Sequence, residues 1–195
     1  MNERAHGATA ASDARARIVD AGVRCITREG VADASMAAIA LEANVSKALL
    51  HYHYHDRATL LAEIVDRLAV RLVTRERAAI DRTDGAGGLD ALWSWLEAEL
   101  RRGELACFVE LALVREGAVR TASRAAANHR RRSATRTVER LFAQLGLMPK
   151  VPAPLMADAS VAFTDGLAVD VANGTSRDPR VSFDIFWLAL LGLTE

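Results

Sequence analysis

The sequence predicts an all-α fold, and three features of its composition support this. The chain of 195 residues is 51% hydrophobic and only 5% aromatic. Alternating β-branched runs, which are typical of strands, are scarce. Alanine, leucine and arginine dominate instead, and these residues favour helices. A chain of this length buries an ample core, either as one large domain or as a small module followed by a larger one.

The first helix is predicted between Ser12 and Gly30. Ser12 and Asp13 are N-cap candidates, and apolar residues then repeat every three to four positions, through Ile18 and Cys25. Gly30 supplies a C-terminal stop.

Two short helices follow. Ser35 and Ser46 each precede a helical stretch as N-caps, and about three residues around Asn44 separate the two stretches. This spacing is typical of a helix-turn-helix.

The rest of the chain predicts a helical bundle. Asp56 caps a long helix over 57–80 whose apolar stripe includes Leu61, Val65, Leu68 and Leu72, and "DGAGG" at 84–88 ends it. Further helices are predicted over 89–102, 104–115 and 118–145, the last interrupted by the charged "HRRR" at 129–132, and over two stretches after the prolines at 149–154. The last two helices are apolar on more than one face, so one face is expected to pack against a second copy of the chain.

Charge and cysteine content limit the function classes. Lysine plus arginine equals aspartate plus glutamate at 25 each, so a nucleic-acid surface would have to be a local patch. Cys25 and Cys107 are far apart and form no C-x-x-C pair, which fits structural thiols in a reducing cytosol. The amino terminus has no apolar signal region, and the longest apolar run, 185–193, is too short to span a bilayer. We expect a soluble cytoplasmic protein with no membrane partner.

The stretch "HYHYHD" at 51–56 has two interpretations. On a strand, His51, His53 and His55 would share one face and indicate a metal site. On a helix only His51 and His55 share a face, and the stretch would end the second short helix and cap the next.

From Ile18 to Leu61 the sequence resembles the TetR family of bacterial transcriptional regulators. The matching positions are Ile18, Ala21, Gly30, Ser35, Ile39, Ala40, Ala43, Val45, Ser46, Lys47, Leu50, His53, Tyr54, Leu60 and Leu61. The resemblance implies about nine helices, with a three-helix DNA-binding domain at 1–57 and a ligand-sensing and dimerisation domain at 58–195. It also implies a homodimer, usually a repressor, that binds a palindromic operator in double-stranded DNA and is released by a small-molecule effector. No cofactor, metal ion or catalytic residue is implied.

Asn44, His51 and Arg57 depart from the family's usual glycine, tyrosine and lysine. Asparagine enters the left-handed region readily, so the turn should be retained. His51 lacks the phenol of tyrosine and supplies an imidazole donor instead.

The helix-turn-helix predicts a set of residues at the DNA. Lys47, Ala48 and Leu49 begin the recognition helix, where they would meet base edges, while His51, Tyr52, His53 and Arg57 would meet phosphates, and Tyr54 would pack beneath the helices. Ser35 and Ser46 stand at helix starts, where free amides favour phosphate, although Ser35 fits an ordinary N-cap equally well.

Five residues in apolar helical stretches are candidates for the effector pocket. They are Trp93, Phe108, Glu110, His129 and Phe163. For each one a structural role is the stronger alternative: core packing for the aromatic residues, solvation for His129, and an ion pair with Arg115 or Arg124 for Glu110. The predicted dimer residues are Val161, Phe163, Leu167, Val171, Phe183, Phe186, Trp187 and Leu190.

Two other classes stay open. An all-α metal-dependent hydrolase could use the histidines, but the chain has no H-E-x-x-H motif. A helical interaction module that has lost DNA binding would fit the neutral net charge.

Overall fold

A computed structural model of the chain describes residues 3–83 and 87–194, with side chains from Asp13 onward. Within these ranges the elements are α1 (Glu3–Asp33), α2 (Met36–Glu42), α3 (Lys47–His53), α4 (Arg57–Ile80), α5 (Gly88–Arg102), α6 (Glu104–Ala112), α7 (Gly117–Leu145), α8 (Ala153–Ala172) and α9 (Pro179–Leu191). The described part of the chain is all-helical, as the composition predicts. The only β pairing in it is an isolated bridge between Pro149 and Thr194.

Three predicted N-caps are confirmed. Ser35 Oγ accepts from Ala38 N at 3.1 Å and Ser46 Oγ accepts from Leu49 N at 3.1 Å. Asp56 Oδ1 accepts from Thr59 N at 2.7 Å. Each bond satisfies an amide that the first turn of a helix leaves free, so these caps fix where α2, α3 and α4 begin.

The turn between α2 and α3 has the predicted left-handed residue. Asn44 has φ 52°. Asn44 N donates to Leu41 O and Val45 N donates to Ala40 O, each at 3.0 Å. This pair of bonds ends α2 in a Schellman motif, with asparagine where glycine is commoner.

Two predicted boundaries are wrong. The Ser12–Asp13 start fails because α1 already begins at Glu3, although Gly30 does interrupt the helical path with φ 84° and ψ 165°. The predicted interruption at 129–132 fails because α7 is continuous there. Only Arg130 of that run is buried, at 6% exposure, so the charged run does not have to leave the helix. Most of the predicted break at 84–88 lies outside the described residues.

One buried cluster runs from Ile18 in α1 to Leu190 in α9. Helix α4 lies at its centre and packs against α1, α5, α6 and α7. Since α4 starts at the helix-turn-helix and continues into the bundle, a displacement of α4 within the bundle would reach α1 directly.

Candidate nucleic-acid interface and bundle cavity

One side of helix α3 packs against the core, and the other side is exposed to solvent. Leu50 and Tyr54 are buried at 1% and 0% exposure and anchor it to the core. Lys47, Ala48 and His51 are exposed. Tyr52 is 76% exposed, which is unusual for so large a ring.

The three histidines of the 51–56 stretch do not share a face. His51 and His53 are in the last turn of α3, while His55 follows the helix. Among the described residues no three His, Cys, Asp or Glu side chains are grouped to hold a metal ion. The helical interpretation of the stretch is therefore confirmed, together with the predicted buried position of Tyr54.

His53 is less accessible than His51. Its Nε2 is buried and has no hydrogen-bond partner in the described part of the protein, and its ring meets the edge of Tyr52 at 5.3 Å between centroids. A phosphate contact through Nε2 would require the ring to turn.

Arg57, at the start of α4, contacts the end of α1 and the residue that follows it. Its Nη2 donates to Val31 O and its Nε donates to Ala34 O at 3.4 Å. The guanidinium thus braces the backbone in addition to any role at DNA, and Nη1 stays without a partner among the described residues.

Glu110 of α6 contacts the same end of α1. Its Oε1 accepts from Val31 N at 2.6 Å. The ion pair predicted with Arg115 or Arg124 is therefore wrong, and no local pattern indicates a backbone partner so far away in the chain. Val31 is held through its N–H by the bundle and through its C=O by the start of α4.

Arginines of α4 connect four helices. Arg71 Nη2 donates to Asp20 of α1 at 2.6 Å. Arg75 Nε lies 2.7 Å from Oε1 of the fully buried Glu99 of α5, and its Nη2 donates to Glu104 of α6. This network ties the bundle to the amino-terminal helix.

A cavity of about 40 Å³ lies inside the bundle, between α4, α5, α7, α8 and α9. Its wall consists of Glu76, Leu92, Trp95, Leu96, Arg130, Ala134, Thr137, Val138, Ser160, Val161, Thr164, Phe183, Phe186 and Trp187. The five residues predicted for the pocket are not part of it. Sequence reasoning missed Glu76, although an acid four residues from both Leu72 and Ile80 on a buried stripe was a usable signal.

The five predicted pocket residues have other neighbours. Phe108 is buried, and the Arg130 guanidinium lies over its ring, 4.8 Å from the ring centroid. Phe163 stacks on Phe186 with 4.3 Å between the ring centroids. Trp93 contacts Phe183 at 5.3 Å, while His129 is half-buried. Glu110 lines a separate groove beside Gly30.

Half of the predicted dimer residues are not accessible. Leu167, Phe183, Trp187 and Leu190 are 2–6% exposed and lie in the chain's own core. This corrects the expectation that they face a partner. Val161, Phe163, Val171 and Phe186 are half-buried.

A different apolar face is exposed on the last two helices. It is formed by Leu155 and Val169 of α8 and by Val181, Ile185 and Leu188 of α9, which are 37–68% exposed. Ala159, Ala162 and Gly166 lie at helical spacing between the two α8 residues and are also exposed. We refer to these eight residues as the α8–α9 face.

Similarity to known proteins agrees with this architecture. Residues 18–64 match the family described as "Bacterial regulatory proteins, tetR family". A TetR transcription regulator from Haloarcula marismortui ATCC 43049 superposes with TM-score 0.76 at 20% identity, covering 94% of this chain and 100% of that one. No curated protein matches the chain in sequence.

Two further solved structures share the fold. A protein from Pseudomonas aeruginosa PAO1, described as a transcriptional regulator, has TM-score 0.69 and 25% identity over 92% of this chain and 89% of its own. Another protein, from Saccharomonospora viridis and solved in complex with choline, superposes with TM-score 0.73 at 22% identity. The match covers 94% of this chain and 99% of that one.

The fold and the capped, outward-facing α3 define a class, that of helix-turn-helix transcriptional regulators with a helical bundle behind the DNA-binding module. Within that class the amino-terminal module, at residues 18–64, matches the tetR family, and the chain shares the fold of a TetR transcription regulator. None of its described helices is both long and apolar enough to cross a membrane.

Proposed function

We propose that this chain is a homodimeric regulator that binds a palindromic operator in double-stranded DNA and responds to a small molecule held in its bundle. The first 57 residues would read DNA and residues 58–195 would sense the ligand and dimerise. As is usual in the family, it would act as a repressor that the effector releases. The observation that carries the proposal is α3, with Lys47 and Ala48 exposed in its first turn while Leu50 and Tyr54 fix its other side.

The exposed side of α3 suits a major groove. Lysine can donate to guanine acceptors, and a small side chain such as Ala48 can meet a thymine methyl group. Tyr52 and His51 lie further along the helix, where they would meet phosphates. With few base-reading groups, specificity would also draw on DNA shape and on the spacing of two half-sites.

The α8–α9 face supports dimerisation. Its five large apolar side chains are 37–68% exposed, and large exposed apolar surfaces are typical of protein–protein contacts. A twofold axis through the face would bury it against its own copy, because the same patch serves both partners. Small residues in the middle of α8 would let the two helices approach closely.

The effector response would run through α4. A ligand that binds better to the arrangement unable to hold DNA shifts the population toward that arrangement. A preference of about 3 kcal/mol would lower operator affinity on the order of a hundredfold. The Saccharomonospora viridis protein, solved in complex with choline, supports the expectation that a protein of this fold binds a small molecule.

Duplex binding as a function of salt tests the proposal. Lys47→Gln and Arg57→Ala should each reduce the slope of log affinity against log salt by roughly one per lost phosphate or base contact, counted once per subunit. Arg57→Lys should keep the slope, because the charge is retained, but should lower the melting temperature, because one nitrogen cannot hold both carbonyls. Arg101→Ala serves as the control, because Arg101 is an exposed residue of α5, and it should leave the slope unchanged.

Two results would contradict the proposal or its residue assignments. Absence of binding to any duplex at low salt would favour the helical interaction module. An unchanged slope for both variants would remove Lys47 and Arg57 from the interface.

A further inference from the structure

The bundle cavity contains a carboxylate with one oxygen unpaired. Glu76 is only 8% exposed, and Thr137 Oγ1 donates to its Oε1 at 2.7 Å. Among the described residues no group donates to Oε2, and no arginine or lysine pairs with the carboxylate. A buried carboxylate without a partner is costly, so a missing cationic or donor group is the natural complement.

Among the other polar side chains of the wall, Ser160, Thr164 and Arg130 already have partners, whereas the buried Trp95 Nε1 has none among the described residues. Ser160 Oγ donates to Met156 O at 2.8 Å and Thr164 Oγ1 donates to Val161 O at 3.0 Å. Arg130 donates to Asp165 at 2.7 Å and lies over the Phe108 ring. Its charge is therefore neutralised, and it is poorly placed to hold an anion. Glu76 Oε2 is left as the acceptor that the protein does not use.

Aromatic rings form much of the remaining wall. Trp95 comes from α5, and Phe183, Phe186 and Trp187 come from α9. Phe186 and Trp187 meet edge to face, with centroids 6.0 Å apart. Ring faces attract cations, most strongly where water is excluded. A carboxylate opposite such rings favours a cation with an apolar body and disfavours an anion of the same shape.

The cavity is small in this conformation. Its 40 Å³ would hold about three waters. An organic ligand must therefore separate the helices around it, and Glu76 places α4 itself on the wall. Occupation of this cavity would thus displace the helix that leads to the DNA-binding module.

We propose that this cavity binds a small organic ammonium ion, with the charged nitrogen at Glu76 Oε2 and the alkyl body against the aromatic rings of α5 and α9. The ligand acts as the effector only if the proposed function holds. Binding itself is a property of the free protein.

The nearby groove beside Gly30 is a weaker candidate. It is larger, at about 450 Å³. Its carboxylate, Glu110, is exposed, and its Oε1 already accepts from Val31 N. Water can solvate this charge, so the groove has no buried carboxylate that needs a cationic partner.

Three probes with one carbon skeleton test the proposal. Neopentylammonium, neopentyl alcohol and pivalate share a tert-butyl group and differ in charge. Calorimetric titration and thermal shift of the full chain should show neopentylammonium binding at least tenfold more tightly than the alcohol, and no binding of pivalate. Equal affinities, preference for pivalate, or no binding of any probe at millimolar concentration would overturn the proposal.

Two variants locate the binding site. Glu76→Gln keeps an acceptor for Thr137 and removes the charge, so the preference for the ammonium over the alcohol should fall to about one. Its melting temperature distinguishes this loss from misfolding. Glu97→Gln, an exposed glutamate of α5, should keep the full preference. Retention of the preference in Glu76→Gln would also overturn the proposal.

Operator binding separates the two proposals. If neopentylammonium binds but the protein holds no duplex, the cavity assignment stands and the proposed function fails. If the protein holds a duplex but prefers none of the probes by charge, the reverse is true.

Discussion

At the scale of single residues, Glu76 is the clearest departure from an ordinary core. It occupies the position between Leu72 and Ile80 where the buried stripe of α4 would otherwise be aliphatic. Burial raises the pKa of its carboxyl, and Thr137, Arg130, Arg136 and Arg77 oppose that shift. A buried carboxylate with a shifted pKa on the wall of a cavity is a candidate for a functional site.

The raised pKa makes a prediction about stability. The folded state keeps the Glu76 proton to higher pH than the unfolded chain does, so the stabilising contribution is complete below the ordinary value of 4.5. It is lost as pH rises through the folded-state pKa. In urea unfolding, the free energy of unfolding of Glu76→Gln relative to that of the natural chain should therefore increase as pH rises from 4.5. A constant or shrinking advantage would contradict this assignment.

Gly30 makes a second prediction at this scale. Its φ 84° and ψ 165° fall in a region that only glycine occupies freely. An added Cβ would also lie 3.3 Å from Glu110 Oε1. Gly30→Ala should lower the free energy of unfolding by about 1–3 kcal/mol. Gly117→Ala, in open space at the start of α7, is the matched control and should be neutral or slightly stabilising.

At the scale of helices, α4 is joined to its neighbours by charges as well as by packing. Arg75 is the principal partner of Glu99, whose side chain has no exposed surface. Arg102 contacts the same carboxylate at 3.1 Å but from the exposed side. The pair fixes α4 against α5 more firmly than a surface ion pair would, because a buried carboxylate without its partner is expensive.

Removing that partner should be costly. Arg75→Met leaves Glu99 with Arg102 alone and should lower the free energy of unfolding on the order of 2 kcal/mol. Arg101→Met breaks only the exposed pair with Glu97 and should change it by less than about 0.5 kcal/mol. Equal effects of the two variants in chemical denaturation would show that the α4 network does not stabilise the fold.

Local chemistry explains which helices the sequence could predict. Ser35, Ser46 and Asp56 satisfy amides three residues ahead, so the starts of α2, α3 and α4 follow from neighbouring residues alone. The break predicted at 129–132 was wrong because it rested on charge alone. The helix continues there with Arg130 facing inward, where it donates to Asp165, a partner 35 residues away.

The face of a helix is harder to predict than the helix. Helices α8 and α9 are apolar on two sides, and periodicity does not tell which side meets the chain's own core. Phe183 and Trp187 turned inward, while Ile185 and Leu188 turned outward. The cavity was missed for the same reason, because its wall combines five helices whose relative rotation the sequence does not specify.

At the scale of the whole molecule, the α8–α9 face is expected to set the oligomeric state. Ile185→Glu combined with Leu188→Glu should produce a monomer in analytical ultracentrifugation, since two buried charges per subunit would oppose association. Leu41→Glu changes an exposed side chain of α2, at 83%, away from that face and should leave the dimer intact. Dissociation by Leu41→Glu alone would place the interface elsewhere.

In the proposed function, dimerisation, DNA reading and ligand response depend on one geometric requirement. Two copies of α3 would have to be presented at a fixed separation, which the bundle would set. A ligand in the cavity would change that separation by moving α4, and the Arg57 and Glu110 contacts to Val31 would transmit the movement to the end of α1.

Selection of bound sequences from a random pool of duplexes tests this requirement most directly. The expected result is an enriched inverted repeat, bound by a dimer, with half-site centres about 10–10.5 base pairs apart or a multiple of that spacing. Substitution of Lys47 should change the enriched bases, and substitution at the α8–α9 face should abolish enrichment. Enrichment of a single unrepeated site by a monomer, or no enrichment at low salt, would contradict the account.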